Sequence, residues 1–85
     1  MVEATITDIG YNDFIKRGKR SFHIQTEVIE SDSIIIRTTI MEGGLVVDAV
    51  SQTCEPEAHD IVHKGNLAKA QHKKALNEVQ KGKYG

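Results

Sequence analysis

The β-branched residues crowd into one part of this chain. Nine of the ten isoleucines and five of the seven valines precede residue 53, and leucine occurs only three times in 85 residues. Side chains branched at Cβ lose rotamer freedom against a helical turn and pack well on a pleated surface, so the first fifty residues read as sheet. Alternation with a period of two places four strands in it. These are Val2–Ile9, Ser21–Val28, Ile34–Met41 and Leu45–Gln52. The second has the cleanest pattern, with Phe22, Ile24, Thr26 and Val28 on one side and His23, Gln25 and Glu27 on the other. A loop from Gly10 to Lys19 joins the first two strands, and Glu30 to Ser33 joins the next two.

Gly43-Gly44 lies between the last two strands, and paired glycines supply the positive φ that a type I′ hairpin needs. Pairing about that turn sets Met41 opposite Val46, Ile40 opposite Val47 and Thr38 opposite Ala49. Ile36, Ile40, Val47 and Ala49 then share a face.

The pattern changes at the only proline, Pro56. Proline tolerates the first helical position, and Glu55 and Glu57 suit the positive end of a helix dipole. Beyond it Ala58, Ile61 with Val62, Gly65, Ala68, His72, Ala75 with Leu76, and Val79 recur at steps of three and four, which predicts one helix over 56–81. Gly82 is its expected C′ residue, and Gly65-Asn66 marks a place where it could kink or break. The predicted architecture is α+β, a four-stranded, mainly antiparallel meander with the helix packed on one face. Its expected core joins Phe22, Ile24, Val28, Ile34, Ile36, Ile40, Leu45, Val47 and Ala49 to Ile61, Val62, Ala68, Leu76 and Val79.

A chain of this length buries roughly 60% of the surface its unfolded form exposes, enough for one core, so a single domain is expected over 1–85. It has no 18-residue apolar run, no basic and apolar leader, and a single cysteine, a combination that points to the cytoplasm. The net charge of −1 hides an uneven distribution. Residues 1–58 carry −5 and residues 59–85 carry +4 with histidine neutral.

Candidate chemistry is sparse. His59 and His63 stand four apart on the predicted helix, a spacing that can grip a metal, but two ligands are too few for zinc, so no metal site and no cofactor is expected. Cys54 precedes the helix start, where a dipole can lower a thiol pKa, yet no base or oxyanion signature accompanies it. His72 falls on the apolar helix stripe and reads as structural; the predicted faces argue against His23 or Gln25 as its partner. With no phosphate loop and no nucleophile constellation, no catalytic residue is assigned and a non-enzymatic role is expected.

The segments Phe22-His23-Ile24-Gln25-Thr26-Glu27, Gly43-Gly44, Gln71-His72-Lys73-Lys74 and Lys81-Gly82-Lys83-Tyr84 together resemble a group of short, uncharacterised bacterial domains. The resemblance covers most of the chain from Tyr11 onward. It implies a cytoplasmic bacterial α+β module and brings no site residues with it.

Two surfaces remain. Ile35, Met41, Val46 and Val50 are expected on the sheet face away from the helix, an apolar patch that would serve an unknown protein partner or a second copy of the chain. Lys69, Lys73, Lys74 and Lys81 on the helix offer an alternative, phosphate contacts to nucleic acid.

Overall fold

The computed structural model describes the backbone of residues 5–54 and 61–85, and the side chains of residue 7, residues 9–54 and residues 64–85. It is an α+β fold in which one open antiparallel sheet runs in the order β1-β2-β3-β4, followed by a C-terminal helix. The elements are β1 (Thr5–Arg17), β2 (Arg20–Glu30), β3 (Ile34–Glu42), β4 (Leu45–Cys54) and α1 (Ile61–Gln80).

The long loop expected between the first two strands is instead strand. β1 runs through it and turns on Gly18-Lys19 alone, pairing Arg17 with Arg20. Polar residues hid it, because β1 is an edge strand whose alternation sets Tyr11, Asp13 and Ile15 on the helix side and Asn12, Phe14 and Lys16 on the other. The register slips between Ile6 and Gly10, and a Cβ at Gly10 would stand 3.1 Å from the Thr26 carbonyl oxygen. A glycine there lets the two backbones close up at the bulge.

The Gly43-Gly44 turn forms as expected, with φ of 58° and 83°, and Met41 faces Val46. One residue further the expected register fails, because Ile40 pairs with Asp48 and Thr38 with Val50. Val47 is the extra residue of a β-bulge. From there on β4 is turned over, so that Asp48, Val50 and Gln52 lie on the helix side and Ala49 on the open side.

The core divides into two apolar clusters. Phe22, Ile24, Ile40, Ala75 and Val79 form one, with Ile15, Leu76 and Tyr84 packed on it. Val28, Ile34, Ile36 and Ala68 form the other, against Ile9, Tyr11, Cys54 and Leu67. Leu45, Val47 and Ala49, expected in the core, are all exposed, since α1 lies across β1, β2 and β3 and leaves β4 largely outside its footprint.

α1 continues unbroken through Gly65-Asn66. It closes at Gly82 in a Schellman arrangement, in which the Lys83 N–H donates to the Glu78 carbonyl (3.0 Å) and the Gly82 N–H to that of Val79 (3.1 Å). The Arg17 guanidinium caps the Gln80 carbonyl, which ties the β1–β2 hairpin to the helix end. The Glu55-Pro56-Glu57 start lies outside the described residues, as do His59 and the side chains of Ile61, Val62 and His63. Among the described residues no helix is long and apolar enough to cross a membrane.

Candidate functional site

Between the two apolar clusters runs a buried polar layer. His72 is 3% exposed; its Nε2 lies 2.8 Å from Asp13 Oδ2 and its Nδ1 2.7 Å from Thr26 Oγ1. Thr26 Oγ1 is 2.8 Å from Thr38 Oγ1, and Gln71 Nε2 donates to Thr38 Oγ1 at 2.9 Å. A carboxylate only accepts, so Nε2 carries the hydrogen toward Asp13. In the neutral tautomer every donor then points the same way, from Gln71 to Thr38 to Thr26 to His72 to Asp13. The segments Phe22–Glu27 and Gln71–His72, which carry the resemblance described above, meet in this layer. Asp13, which completes it, was hidden in a stretch that reads as loop; the alternation of Tyr11, Asp13 and Ile15 is the signal that reveals it.

The connectivity of carboxylate, imidazole and hydroxyl is that of an acyl-transfer relay. Thr26, however, is 1% exposed and its hydroxyl is held between His72 and Thr38, so no substrate reaches it. The layer sets the position of α1 on the sheet. Among the described residues no three His, Cys, Asp or Glu side chains gather where a metal ion could sit. Cys54 is half-buried against the second apolar cluster.

A second polar tie holds the C-terminus. The Tyr84 hydroxyl donates to Asp48 Oδ2 at 2.6 Å, and the Ala49 N–H donates to Oδ1 at 2.9 Å. The hydrogen bond from Tyr84 lowers the Asp48 carboxyl below its ordinary range, and the Ala49 N–H adds to this, whereas burial first and Asp48 second raise the Tyr84 hydroxyl well above its own. A lowered carboxylate contributes stability at neutral pH that is lost as pH falls through its folded pKa; a raised phenol contributes stability that is lost as pH climbs beyond 10. Tyr84→Phe should therefore flatten both the acid and the alkaline limbs of a plot of unfolding free energy against pH. Limbs unchanged in the variant would show that the tie carries no weight.

The open face of the sheet is organised in cross-strand rows. One runs Phe14, His23, Met41, Val46 across all four strands. Three interstrand steps of about 4.8 Å make it roughly 14 Å long. Phe14 is 73% exposed and stacks on His23 with ring centroids 4.4 Å apart and planes 12° from parallel. The next row is Asn12, Gln25, Thr39 and Ala49, polar on its first three strands, and the one after it holds the Glu27–Arg37 ion pair (2.6 Å).

The apolar patch expected on this face is divided accordingly. Met41 and Val46 are neighbours in the first row, while Ile35 lies six residues down β3, about 20 Å away. Val50 does not belong to this face at all. The bulge at Val47 turns it to the helix side, where it lines a cleft with Gln71, Lys74 and Glu78. Lys69, Lys73, Lys74 and Lys81 are all exposed, and among the described residues none of the four enters an ion pair. Lys64, by contrast, is buried and paired with Glu30.

Comparison of the chain with protein-family models, with curated proteins and with solved structures found no match.

Proposed function

We propose that this chain is a non-enzymatic protein-interaction module that self-associates by strand pairing at β4. The observation that carries the reading is the state of that strand. Among the described residues β4 pairs with β3 on one edge and with no strand on the other, none of its ten residues is buried, and Leu45, Val46, Val47 and Val50 are 73%, 62%, 43% and 42% exposed. Asp48 is its only charged residue. An edge of this length presents a row of backbone donors and acceptors to any strand laid beside it. β1, the opposite edge, is guarded by the charges of Asp13, Lys16 and Arg17; both edge strands carry a bulge, at Gly10 and at Val47, so the charges make the difference. The same contrast favours a second copy as the partner, because β4 laid antiparallel to itself gives an isologous contact that only Asp48 opposes with charge. The inaccessible Thr26 hydroxyl supports the non-enzymatic part of the reading.

Lysine on an edge strand is a common block to such pairing. Val46→Lys combined with Val47→Lys should convert a concentration-dependent dimer, measured by light scattering, to monomer while leaving the circular dichroism spectrum unchanged. A wild-type chain that stays monomeric at the highest soluble concentration would end the proposal. Phosphate contacts through Lys69, Lys73, Lys74 and Lys81 form the second reading, favoured by the exposure of those four side chains and by the absence, among the described residues, of an ion pair on any of them. It predicts oligonucleotide binding that falls steeply with salt and disappears when all four become glutamine.

A further inference from the structure

The stacked pair of Phe14 and His23 lies on the side of the sheet away from the helix lysines, and the β4 reading makes no use of it. Phe14 stands 73% exposed on the open sheet, and its ring is held in place by a parallel imidazole. The imidazole is itself fixed, because His23 Nε2 lies 2.9 Å from Asn12 Oδ1. Beside the stack is a cleft lined by Phe14, Ser21, His23, Met41, Gly43 and Gly44, and the exposure of Phe14 leaves its ring open to a flat ligand. We propose that this stack is a binding platform for single-stranded nucleic acid, on which one base continues the stack over Phe14.

Three features of the surroundings fit that ligand. Stacking on an aromatic face tolerates any base, since every base has a π-face. The neighbouring row supplies Asn12, Gln25 and Thr39, whose amides and hydroxyl can both donate and accept, as the edges of an unpaired base require. Lys16 shares the Phe14 face of β1 and is exposed, as is Lys19 in the adjoining turn, so cations flank the platform where a phosphate backbone would leave it. The one described carboxylate of the adjoining rows, Glu27, is engaged by Arg37 and by Gln25. A duplex does not fit, because its bases are already stacked.

The test uses a fluorescein-labelled oligouridylate eight nucleotides long, titrated with the full chain at low salt and followed by anisotropy. Phe14→Ala should weaken binding about tenfold or more, Phe14→Trp should restore it, and the glutamine replacement of the four helix lysines should leave it within about twofold. The His23 ring resonances should shift on saturation. The exposure of Phe14 keeps the fold out of the comparison. Binding that survives Phe14→Ala but is lost with the helix lysines would overturn the platform in favour of phosphate contacts on the helix. Absence of saturable binding at millimolar chain would overturn it outright.

Discussion

Replacing His72 with alanine is expected to lower the free energy of unfolding by about 3 kcal/mol, read as a lower urea midpoint at an unchanged slope. Three losses combine. The imidazole is 3% exposed and fills the space between the two apolar clusters, with the Tyr11 ring at 5.5 Å, so truncation leaves a cavity. The Thr26 hydroxyl, 1% exposed, loses the acceptor it points to and keeps only Thr38. Asp13 costs least, because its side chain is 53% exposed and water replaces the lost partner. For that reason Asp13→Ala should cost only about 1 kcal/mol. Substituting His72 with leucine together with Thr26→Val removes both ends of a buried hydrogen bond at once, and should recover much of the loss seen in the alanine variant. A His72→Ala chain within about 0.5 kcal/mol of wild type would mean that the polar layer does not hold α1 to the sheet.

Phe22→Ala should be the most damaging single truncation, about 4 kcal/mol in the same denaturation experiment. Phe22 is fully buried among Ile24, Ile40, Ala75 and Val79, with Ile15 and Tyr84 packed on the cluster and the Arg20 guanidinium 5.0 Å above the ring. The whole stability of a small domain is about 5–15 kcal/mol, so this variant would stand at or near the edge of folding. The other phenylalanine gives the control. Phe14→Ala, at a position 73% exposed, should change stability by no more than about 0.5 kcal/mol. Equal losses at the two positions would contradict the placement of Phe14 on an open face.

The two phenylalanines also show what could be read ahead of the structure. Phe22 stands in step with Ile24, Thr26 and Val28, and that run of alternation identifies its buried face directly. Phe14 lies in a stretch of Tyr11, Asn12, Asp13 and Lys16, where the apolar ring faces outward and the carboxylate inward. The alternation is intact, but its hydrophobic sense is inverted, and a reading by hydropathy takes it for loop. The role of His72 was legible and its partners were not. Its place on the apolar helix stripe marked it as structural, whereas the partner Asp13 is 59 residues away. Of the candidate surface, Met41 and Val46 were rightly placed on the open face, the aromatic half of their row was missed, and Val50 was set on the wrong side.

Local chemistry was enough where the backbone preference of the residues in place decides alone. Crowded β-branched side chains make the strands, Gly43-Gly44 turns the last hairpin, and Gly82 ends the helix, because each is a preference of the backbone where it stands. The course of β4 past its turn was settled only by tertiary contact. A strand repeats every two residues, so one bulge at Val47 exchanges its faces, and either choice offers valines to both sides, Val46 and Val50 or Val47. With local pattern balanced between the two, distant groups decide. The Tyr84 hydroxyl donates to the Asp48 carboxylate and the Gln52 side-chain amide donates to Gln71 Oε1, and both contacts need Asp48 and Gln52 on the helix side. The residues that the expected surface lost and gained were exchanged with those contacts, which come from residues 19 and 36 positions further along the chain.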